Sequence, residues 1–357
     1  MTALPTRLDH YRLLGRSGLR VSPLCLGTMT FGTVWGWGSD KETSLAILDG
    51  YVEKGGNFVD TSNYYTDGES ESFLGEFMEG RRDQFVLSSK YSFSTRWGEP
   101  NSGGNQRKNM VQAVEGSLKR LRTDRIDLYW VHAWDFTTPV DELMRGLDDL
   151  VRQGKIVYLA VSDVPAWKVA QLNQYAEDHA MTRFIAYQAE YNLAARDAER
   201  EILPMCRELG LGVTPWAPLA GGALTGKYTH EDLERERREI GEDTLFGNNE
   251  QRVVNLTERK LEIADRVKEV AKETGRSPAQ VALNWLLAQP GVASLVIGAR
   301  GTKNLEDNIG CLGFALTDDQ LARLDEVSKI ELGFPHDLIH NPVVRKMLTG
   351  NTQISAP

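Results

Sequence analysis

The chain has 357 residues, 41% of them hydrophobic and 25% charged, a composition typical of a folded globular protein with a large core. The net charge of −9 and the lack of a long basic run argue against nucleic acid and anionic membrane surfaces as partners. Its three cysteines, Cys25, Cys206 and Cys311, form no CxxC pair, which argues against a disulfide framework and favours a reducing compartment. Residues 1–11 lack the apolar segment of a signal peptide and no run reaches membrane-spanning length, so we predict a soluble cytoplasmic protein.

The first predicted elements are a β-hairpin in residues 11–22 and a short apolar strand at 24–26. Ser39 with Glu42 three residues later is the pattern of a capping box, which predicts the start of a helix. The glycine pair at 55–56 is expected to end this helix. Its buried face is predicted to contain Leu45, Leu48 and Val52.

From residue 58 onward, short apolar strands alternate with amphipathic helices. These further strands are predicted at 58–60, 85–90, 126–131, 157–161, 184–187, 212–215 and 293–297. Strands that are apolar throughout are typical of a parallel sheet covered on both faces, and eight of them predict an α/β protein with a (β/α)8 TIM barrel fold. A polar loop insertion at about 220–255 follows strand seven, and helices ending at Gly275 and beginning at Pro278 come next. We predict a single domain over residues 1–357, with a C-terminal tail at 330–357 near the barrel mouth.

Three polar side chains stand at the ends of consecutive predicted strands: Asp60, Lys90 and His132. A phenol, Tyr65, follows in the loop after the first of these strands. Because the carboxyl ends of barrel strands meet at one face, we expect the four side chains to share a cavity. Each has an ordinary explanation by itself: a helix cap, a solvated lysine, a hydrogen-bonded structural histidine or a loop anchor. Together they predict a catalytic group.

The chemistry of these four groups indicates proton donation to a carbonyl. A phenol has an ordinary pKa of about 10, which a neighbouring ammonium lowers, so Lys90 is expected to lower the pKa of Tyr65. Asp60 would hold Lys90, and His132 would position a carbonyl oxygen for a general acid. Since a carbonyl protonated on one side needs a hydride from the other, a nicotinamide cofactor is implied. The sequence offers neither a nucleophile–base pair nor a metal-ligand cluster.

With these residues in place, the sequence resembles the aldo-keto reductase superfamily from residue 13 to about residue 324. The segments that carry the resemblance are 26–28 (LGT), 58–65 (FVDTSNYY), 68–71 (GESE), 127–132 (DLYWVH), 154–156 (GKI), 188–192 (QAEYN), 217–222 (APLAGG), 224–228 (LTGKY) and 297–300 (IGAR). The resemblance implies a (β/α)8 barrel that reduces aldehydes or ketones with NADPH, using Asp60, Tyr65, Lys90 and His132. It also selects Tyr65 over Tyr64 as the acid, because the family spaces aspartate and tyrosine by five residues.

The resemblance implies a set of cofactor-binding positions. Those expected at the nicotinamide and its ribose are Gly27, Thr28, Met29, Ser162, Asp163, Gln188 and Trp216. Those expected along the pyrophosphate are Pro218, Leu219, Gly221 and Lys227. Those expected at the adenosine phosphate are Gly298, Ala299, Arg300, Asn304, Asp307 and Asn308. Asp163 stands where the family often has asparagine, and a carboxylate can only accept hydrogen bonds.

Aromatic side chains in the loops predict an apolar or planar carbonyl substrate. The residues expected around the barrel mouth are Phe31, Trp35, Tyr64, Trp97 and Trp134, with Phe334 and His336 of the tail. Ordinary packing of loop aromatics is the competing interpretation. Two other functions stay open: an NADPH-binding regulatory subunit of the ion-channel beta type with slow turnover, and physiological alcohol oxidation in the reverse direction.

Overall fold

The computed structural model describes residues 4–240, 256–350 and 352. The insertion predicted at about 220–255 therefore lies partly among the described residues and partly outside them, at 241–255. Within the described ranges, no helix combines the length and the apolar character needed to cross a bilayer.

The centre of the molecule is a parallel sheet of eight strands. An antiparallel hairpin of β1 (Arg12–Leu13) and β2 (Arg20–Val21) precedes it. The sheet strands are β3 (Leu24–Gly27), β4 (Phe58–Asp60), β5 (Val86–Tyr91), β6 (Ile126–Val131), β7 (Ile156–Ser162), β8 (Phe184–Gln188), β9 (Gly212–Val213) and β10 (Leu295–Ile297). Their order is β10-β3-β4-β5-β6-β7-β8-β9. Ala293 N donates to Val213 O at 2.8 Å and Val296 N to Pro215 O at 2.9 Å, which joins the two ends and gives the predicted (β/α)8 barrel.

Helices surround the sheet and connect its strands. They are α1 (Lys41–Glu53), α2 (Glu69–Phe77), α3 (Arg107–Arg120), α4 (Val140–Arg152), α5 (Ala166–Asp178), α6 (Ile202–Leu209), α7 (His230–Ile240), α8 (Glu258–Thr274), α9 (Pro278–Leu287), α10 (Thr302–Ile309), α11 (Asp318–Ser328), α12 (His336–Ile339) and α13 (Pro342–Thr349). Two short 3₁₀ segments, Tyr65–Gly68 and Ala220–Thr225, follow β4 and β9. The tail after α11 is tied to the segment behind β8, where the Arg200 guanidinium donates to the Leu332 and Glu331 carbonyls.

Two apolar layers hold the barrel together, as expected for strands that are buried on both faces. The larger layer lies between the sheet and the helices. The smaller layer fills the barrel itself and includes Leu14, Cys25, Phe58, Leu128 and Trp130. Leu14 belongs to the hairpin and not to the barrel strands, so the hairpin contributes a side chain to the barrel interior.

The hairpin closes the amino-terminal end of the barrel through a close backbone contact. Gly15 has φ +59°, and a Cβ at this position would lie 2.3 Å from Ile185 O and 2.6 Å from Gly212 N. A side chain therefore cannot be accommodated there without moving backbone atoms. Arg16 N donates to Gly210 O at 2.8 Å, which fixes the hairpin to the end of α6.

The start of α1 differs from the predicted capping box. The cap is Asp40, whose carboxylate accepts from Thr43 N at 2.8 Å, whereas Ser39 is buried beneath the loop that follows β10. Because aspartate is a strong capping residue, the helix begins one residue later than the pattern indicated. Its fully buried residues are Ser44, Ile47, Leu48 and Tyr51. Leu45 and Val52 are only partly buried.

Candidate active site

The carboxyl ends of neighbouring strands bring the predicted catalytic residues together. β4 ends at Asp60, Lys90 is the penultimate residue of β5, and His132 directly follows β6. The parallel register pairs Gly27 with Asp60 and Ser162 with Gln188. In a barrel, these strand ends line one common mouth.

Lys90 is fully buried and has an acceptor for each of its three ammonium protons. Its Nζ donates to the Asp60 carboxylate, to Thr61 O at 3.0 Å and to the Tyr65 hydroxyl at 3.2 Å. The other oxygen of Asp60 accepts from Ser88 Oγ at 2.5 Å. The predicted contacts of Asp60 with Lys90 and of Lys90 with Tyr65 are therefore present as one connected chain.

The protonation states of Lys90 and Tyr65 suit an acid at the Tyr65 hydroxyl. Burial by itself would lower the pKa of Lys90, but Asp60 and then Tyr65 outweigh it and raise that pKa above its usual value. Burial is the largest single influence on the pKa of Tyr65, and although Lys90 acts in the opposite direction the pKa is raised above its usual value. The sequence anticipated the effect of Lys90 but not that of burial. At neutral pH the pair therefore consists of an ammonium and a protonated phenol.

His132 lies beside Tyr65 in a nearly closed environment. It is 8% exposed, its Nδ1 is 3.3 Å from Ser62 Oγ, and its ring is 5.8 Å from that of Tyr65 in an edge arrangement. Burial, followed by the charge of Lys90, lowers the pKa of His132 well below its usual value. The imidazole is therefore neutral at physiological pH, with one N–H donor and one acceptor nitrogen.

The turn that carries Tyr65 is locked in an uncommon backbone conformation. Thr66 and Asp67 have φ +46° and +54°, and a positive φ is particularly rare for a β-branched residue. Thr66 Oγ1 donates to Phe31 O at 2.8 Å and accepts from Ser70 N at 3.0 Å. Backbone strain of this kind persists only where the surroundings enforce it, and it is concentrated at functional sites.

The ends of β7 and β8 have the groups that a nicotinamide carboxamide needs. Gln188 is 3% exposed, and its Nε2 donor has no hydrogen-bond partner among the described residues. Such buried orphan donors are uncommon and call for a partner. Asp163 Oδ1, on the neighbouring loop, accepts from Trp216 Nε1 at 3.3 Å. These residues fit a carboxamide, whose oxygen can accept from Gln188.

The other predicted nicotinamide positions lie at the end of β3. Gly27 closes the strand, and a Cβ there would lie 2.8 Å from Val296 Cγ1. The hydroxyl of Thr28 is already committed to Asp60 O at 3.0 Å and Ser70 Oγ at 2.8 Å, so Thr28 can offer a ligand no free donor. Met29 is half-buried in the following loop.

The predicted phosphate-binding positions surround two exposed segments. In the segment behind β9, Gly221 and Gly222 have φ +65° and +97°, and Lys227 is exposed. Behind β10, Arg300 is exposed and has no carboxylate within 4.0 Å among the described residues. The backbone of α10 begins two residues later without a side-chain cap, so its amides can face an anion.

Several predicted adenosine-side residues have structural contacts of their own. Asp307 Oδ1 accepts from Gln280 Nε2 at 2.9 Å, and the buried Asn308 donates from Nδ2 to Gly298 O at 3.1 Å. Asn304 is exposed, whereas Ala299 is buried. In the loop behind β9, Pro218 is buried and Leu219 is half-buried.

Aromatic rings lead from the surface to His132. Trp35 lies 5.6 Å from Tyr64, Tyr64 lies 5.6 Å from Phe93, and Phe93 lies 4.3 Å from His132, measured between ring centroids. We call Trp35, Tyr64, Phe93 and His132 the aromatic row. Trp134 is nearly buried behind Asp163, and its backbone N–H donates to Asp163 O at 3.3 Å.

Other predicted pocket residues do not join the aromatic row. Phe31 is completely buried in the outer core, and its backbone oxygen accepts from Thr66 in the Tyr65 turn. Trp97 is 82% exposed. In the tail, Phe334 is exposed, and His336 Nε2 lies 3.0 Å from Glu201 Oε1.

Sequence reasoning missed three participants. Ser88 stands two residues before Lys90 on β5, so the strand period of two already placed both on one face. Phe93 was visible as an aromatic residue just after the same strand. Thr61 acts through its backbone carbonyl, for which no side-chain pattern exists. Within the described part of the chain, no group of three or more His, Cys, Asp or Glu side chains is placed to hold a metal ion.

The strand ends of this parallel barrel therefore hold a lysine-bound phenol beside a neutral histidine. The chain belongs to the aldo/keto reductase family, whose family model matches residues 23–329. It is 37% identical to a norsolorinic acid reductase of Aspergillus flavus, over 98% of this chain and 88% of the relative. It is 40% identical to the norsolorinic acid reductase stcV of Emericella nidulans, over 93% and 84%. An aryl-alcohol dehydrogenase [NADP(+)] of Phanerodontia chrysosporium is 39% identical, over 93% and 89%.

Proposed function

We propose that this protein reduces the aldehyde or ketone group of an aromatic or planar compound with NADPH, and that Tyr65 is the general acid. The observation that carries the proposal is the bonded chain from Asp60 through Lys90 to the Tyr65 hydroxyl. It ends beside a histidine that burial keeps neutral.

Each residue of this hydrogen-bonded group has its own role in the proposed reaction. Tyr65 holds a proton at its hydroxyl and gives it to the carbonyl oxygen as that oxygen gains negative charge. Lys90, 3.2 Å from the same hydroxyl, stabilises the phenolate that remains. Asp60 holds the ammonium in place, and its second oxygen is fixed by Ser88. His132, neutral and bound at Nδ1 by Ser62, orients the carbonyl.

The described residues can also hold a nicotinamide dinucleotide. Gln188 and Ser162 would bind the carboxamide, and the unpaired donor of Gln188 supports this assignment. Arg300 and the amides at the start of α10 would bind the 2′-phosphate. When bound, the nicotinamide supplies the hydride that the carbonyl carbon receives. The relative whose name includes NADP(+) supports the same choice of cofactor.

The aromatic row supports an aromatic substrate. Rings stacked or edge-on at 4.5–7 Å attract one another by about 0.5–1.5 kcal/mol beyond their burial, and the row offers such faces from Trp35 inward. One relative is named for aryl alcohols. That name also favours the reverse reaction as a second candidate, in which the Tyr65 phenolate takes the proton of an alcohol.

The test is a panel assay with NADPH and NADH, using aromatic aldehydes, straight-chain aldehydes with the same number of carbons, and the matching alcohols with the oxidised cofactors. We expect the highest kcat/KM for aromatic aldehydes with NADPH. Trp35→Ala should raise KM for the aromatic substrates by about three- to tenfold, whereas Trp97→Ala, the matched change outside the row, should not. Cofactor binding without turnover of any carbonyl or alcohol would overturn the proposal and favour an NADPH-binding regulatory protein.

A further inference from the structure

A large cleft lies at the end of the barrel opposite Asp60, Tyr65, Lys90 and His132. It has a volume of about 680 Å³ and is lined by the hairpin and by the segments that enter β9 and β10, at residues 206–207, 210–212 and 287–293. These segments are the amino ends of the strands, whereas Asp60, Lys90 and His132 stand at carboxyl ends. The volume falls in the range of about 300–1,000 Å³ that small-molecule sites have.

Three arginines line this cleft: Arg12, Arg16 and Arg207. They come from the hairpin and from the last turn of α6. The stem of Arg16 lies over Gly210, since a Cβ at that glycine would be 2.0 Å from Arg16 Cδ. Arg12 Nη1 donates to Val292 O at 2.9 Å, which leaves other N–H groups of its guanidinium available.

The positive charges of the three arginines have no acidic partner in the described lining of the cleft. No aspartate or glutamate lines it among the described residues, and none of the three arginines has a carboxylate within 4.0 Å there. This is unexpected in a chain with a net charge of −9. Arg12 is half-buried, and burial alone lowers its pKa with no opposing effect from an acid. Partly buried charges are normally paired, which suits Arg12 to an anionic ligand. Arg16 and Arg207 are exposed.

We propose that this cleft is a second binding site, separate from the catalytic mouth, for a small organic oxyanion, either a phosphate or a carboxylate, that has an apolar body. The guanidinium groups of Arg16 and Arg207 bind the oxyanion through charge-assisted hydrogen bonds, and Arg12 faces it from the amino-terminal end of the barrel. The apolar body packs on Leu4, Leu13 and Leu287, which also line the cleft. The site requires no part of the proposed reductase chemistry.

The test is calorimetric titration of the full chain with inorganic phosphate, phenyl phosphate and benzoate. NADP+ is kept in excess, because it competes for anion-binding groups at the other end of the barrel. We expect saturable binding and tighter binding of phenyl phosphate than of inorganic phosphate, because only the former has an apolar body. If phenyl phosphate binds more tightly than benzoate, the ligand is a phosphate; the reverse order identifies a carboxylate.

Variants locate the binding. The double variant Arg16→Gln with Arg207→Gln should weaken binding by about tenfold or more, the scale of losing a charged hydrogen-bond partner. The matched control is Arg20→Gln, since Arg20 is an exposed arginine of the same hairpin that does not line the cleft. It should change Kd by less than about twofold. The proposal is overturned if no probe binds saturably, or if Arg20→Gln weakens binding as much as the double variant. Unchanged circular dichroism of the double variant shows that it is folded.

Discussion

Lys90 organises the site at the scale of single residues. Its three protons reach a carboxylate, a backbone carbonyl and a phenol, so the ammonium has one fixed position and no rotational choice. Because Lys90 and Asp60 are both buried, removing either one leaves the other charge without compensation, which costs about 3–5 kcal/mol. The same bonds that place Tyr65 also make the site sensitive to any change in them.

Loss of the Tyr65 hydroxyl should abolish chemistry and spare cofactor binding. We expect Tyr65→Phe to lower kcat about 100-fold or more, the scale of general acid catalysis, while the Kd for NADPH changes by no more than a few-fold. Tyr64→Phe is the matched control, because it keeps the ring that contacts Phe93. Steady-state kinetics and cofactor titration measure both. Near-normal turnover in Tyr65→Phe, with loss in Tyr64→Phe, would show that the acid has been misassigned.

Asp60 and Lys90 should behave as one unit. Lys90→Met removes the charge that lowers the pKa of Tyr65, so we expect lower activity and a further rise of that pKa. Asp60→Asn leaves the ammonium without its carboxylate. Groups that act through each other give non-additive losses, and the double variant should therefore lose little more than the worse single variant. Losses in log kcat that simply add would mean that the two side chains do not cooperate.

The pH profile should be flat through the range where histidine usually titrates. The pKa of His132 is lowered by burial and then by Lys90, so His132 stays neutral as the pH falls through about 6.5. The pKa of Tyr65 is raised by burial, so Tyr65 keeps its proton as the pH rises towards about 10. We expect the reductive kcat, measured with saturating cofactor, to fall only on the alkaline side. An acid limb near pH 6.5 that disappears in His132→Gln would contradict this.

The sequence predicts which residues meet at the site better than it predicts their electrostatics. Asp60, Lys90 and His132 stand at strand ends, and the strand pattern alone brings them to one face. The pKa of Tyr65 depends on how many atoms exclude water from it, and those atoms come from several distant segments. Ser88 could have been found from its spacing to Lys90, whereas Thr61 contributes a backbone oxygen that every residue type has.

At the scale of elements, α10 is where we propose that NADPH is distinguished from NADH. Its first amides have no side-chain cap and Arg300 precedes it without a carboxylate partner among the described residues, so both are available to a phosphate. We expect tighter binding of NADPH than of NADH, and Arg300→Ala should raise the Kd for NADPH by about tenfold or more. NADH is the internal control because it lacks the 2′-phosphate.

Titration of both cofactors against both proteins measures this preference. Equal dissociation constants in the unmodified protein would remove the basis of the assignment. A large loss of NADH affinity in Arg300→Ala would show instead that the arginine contacts another part of the cofactor.

The limits of element prediction are visible at α1. Ser39, Asp40 and Glu42 all suit a helix start, and the sequence cannot rank them without knowing what the preceding loop does. In the structure, Ser39 is buried and its N donates to Thr30 O at 2.7 Å, whereas Asp40 caps the helix. The helices at 258–287 were predicted correctly, with an end at Gly275 and a start at Pro278, because glycine and proline there meet a local backbone requirement.

At the scale of the whole molecule, the eight apolar strands were sufficient to predict the barrel, since their burial on both faces is visible in each strand separately. The closure of the amino-terminal end, the floor of the barrel, was not predictable in the same way. It depends on residue 15 meeting residues 185 and 212, a contact that arises only once the barrel has formed. Local patterns predict elements, whereas contacts between distant segments decide how the ends are sealed.

The floor of the barrel should contribute measurably to stability. Leu14 is completely buried inside the barrel, whereas its neighbour Leu13 is 58% exposed. We expect Leu14→Ala to lower the free energy of unfolding by about 2–5 kcal/mol through the cavity it leaves, and Leu13→Ala to change it by less than about 0.5 kcal/mol. Denaturant unfolding measures both variants. Equal effects would mean that the hairpin does not fill the barrel as described.

The aromatic row has a consequence for directed evolution. Trp35 and Tyr64 stand in loops, and in the substrate-binding role we propose for them, mutations there would change the substrate range while the bonds among Asp60, Lys90 and Tyr65 stay as they are. Phe93 is different, because it touches both Tyr64 and His132. Libraries at the first two positions should therefore yield altered substrate range at nearly constant turnover. At Phe93, substitutions should change substrate range and turnover together, so selection for a new substrate there will also select a new rate.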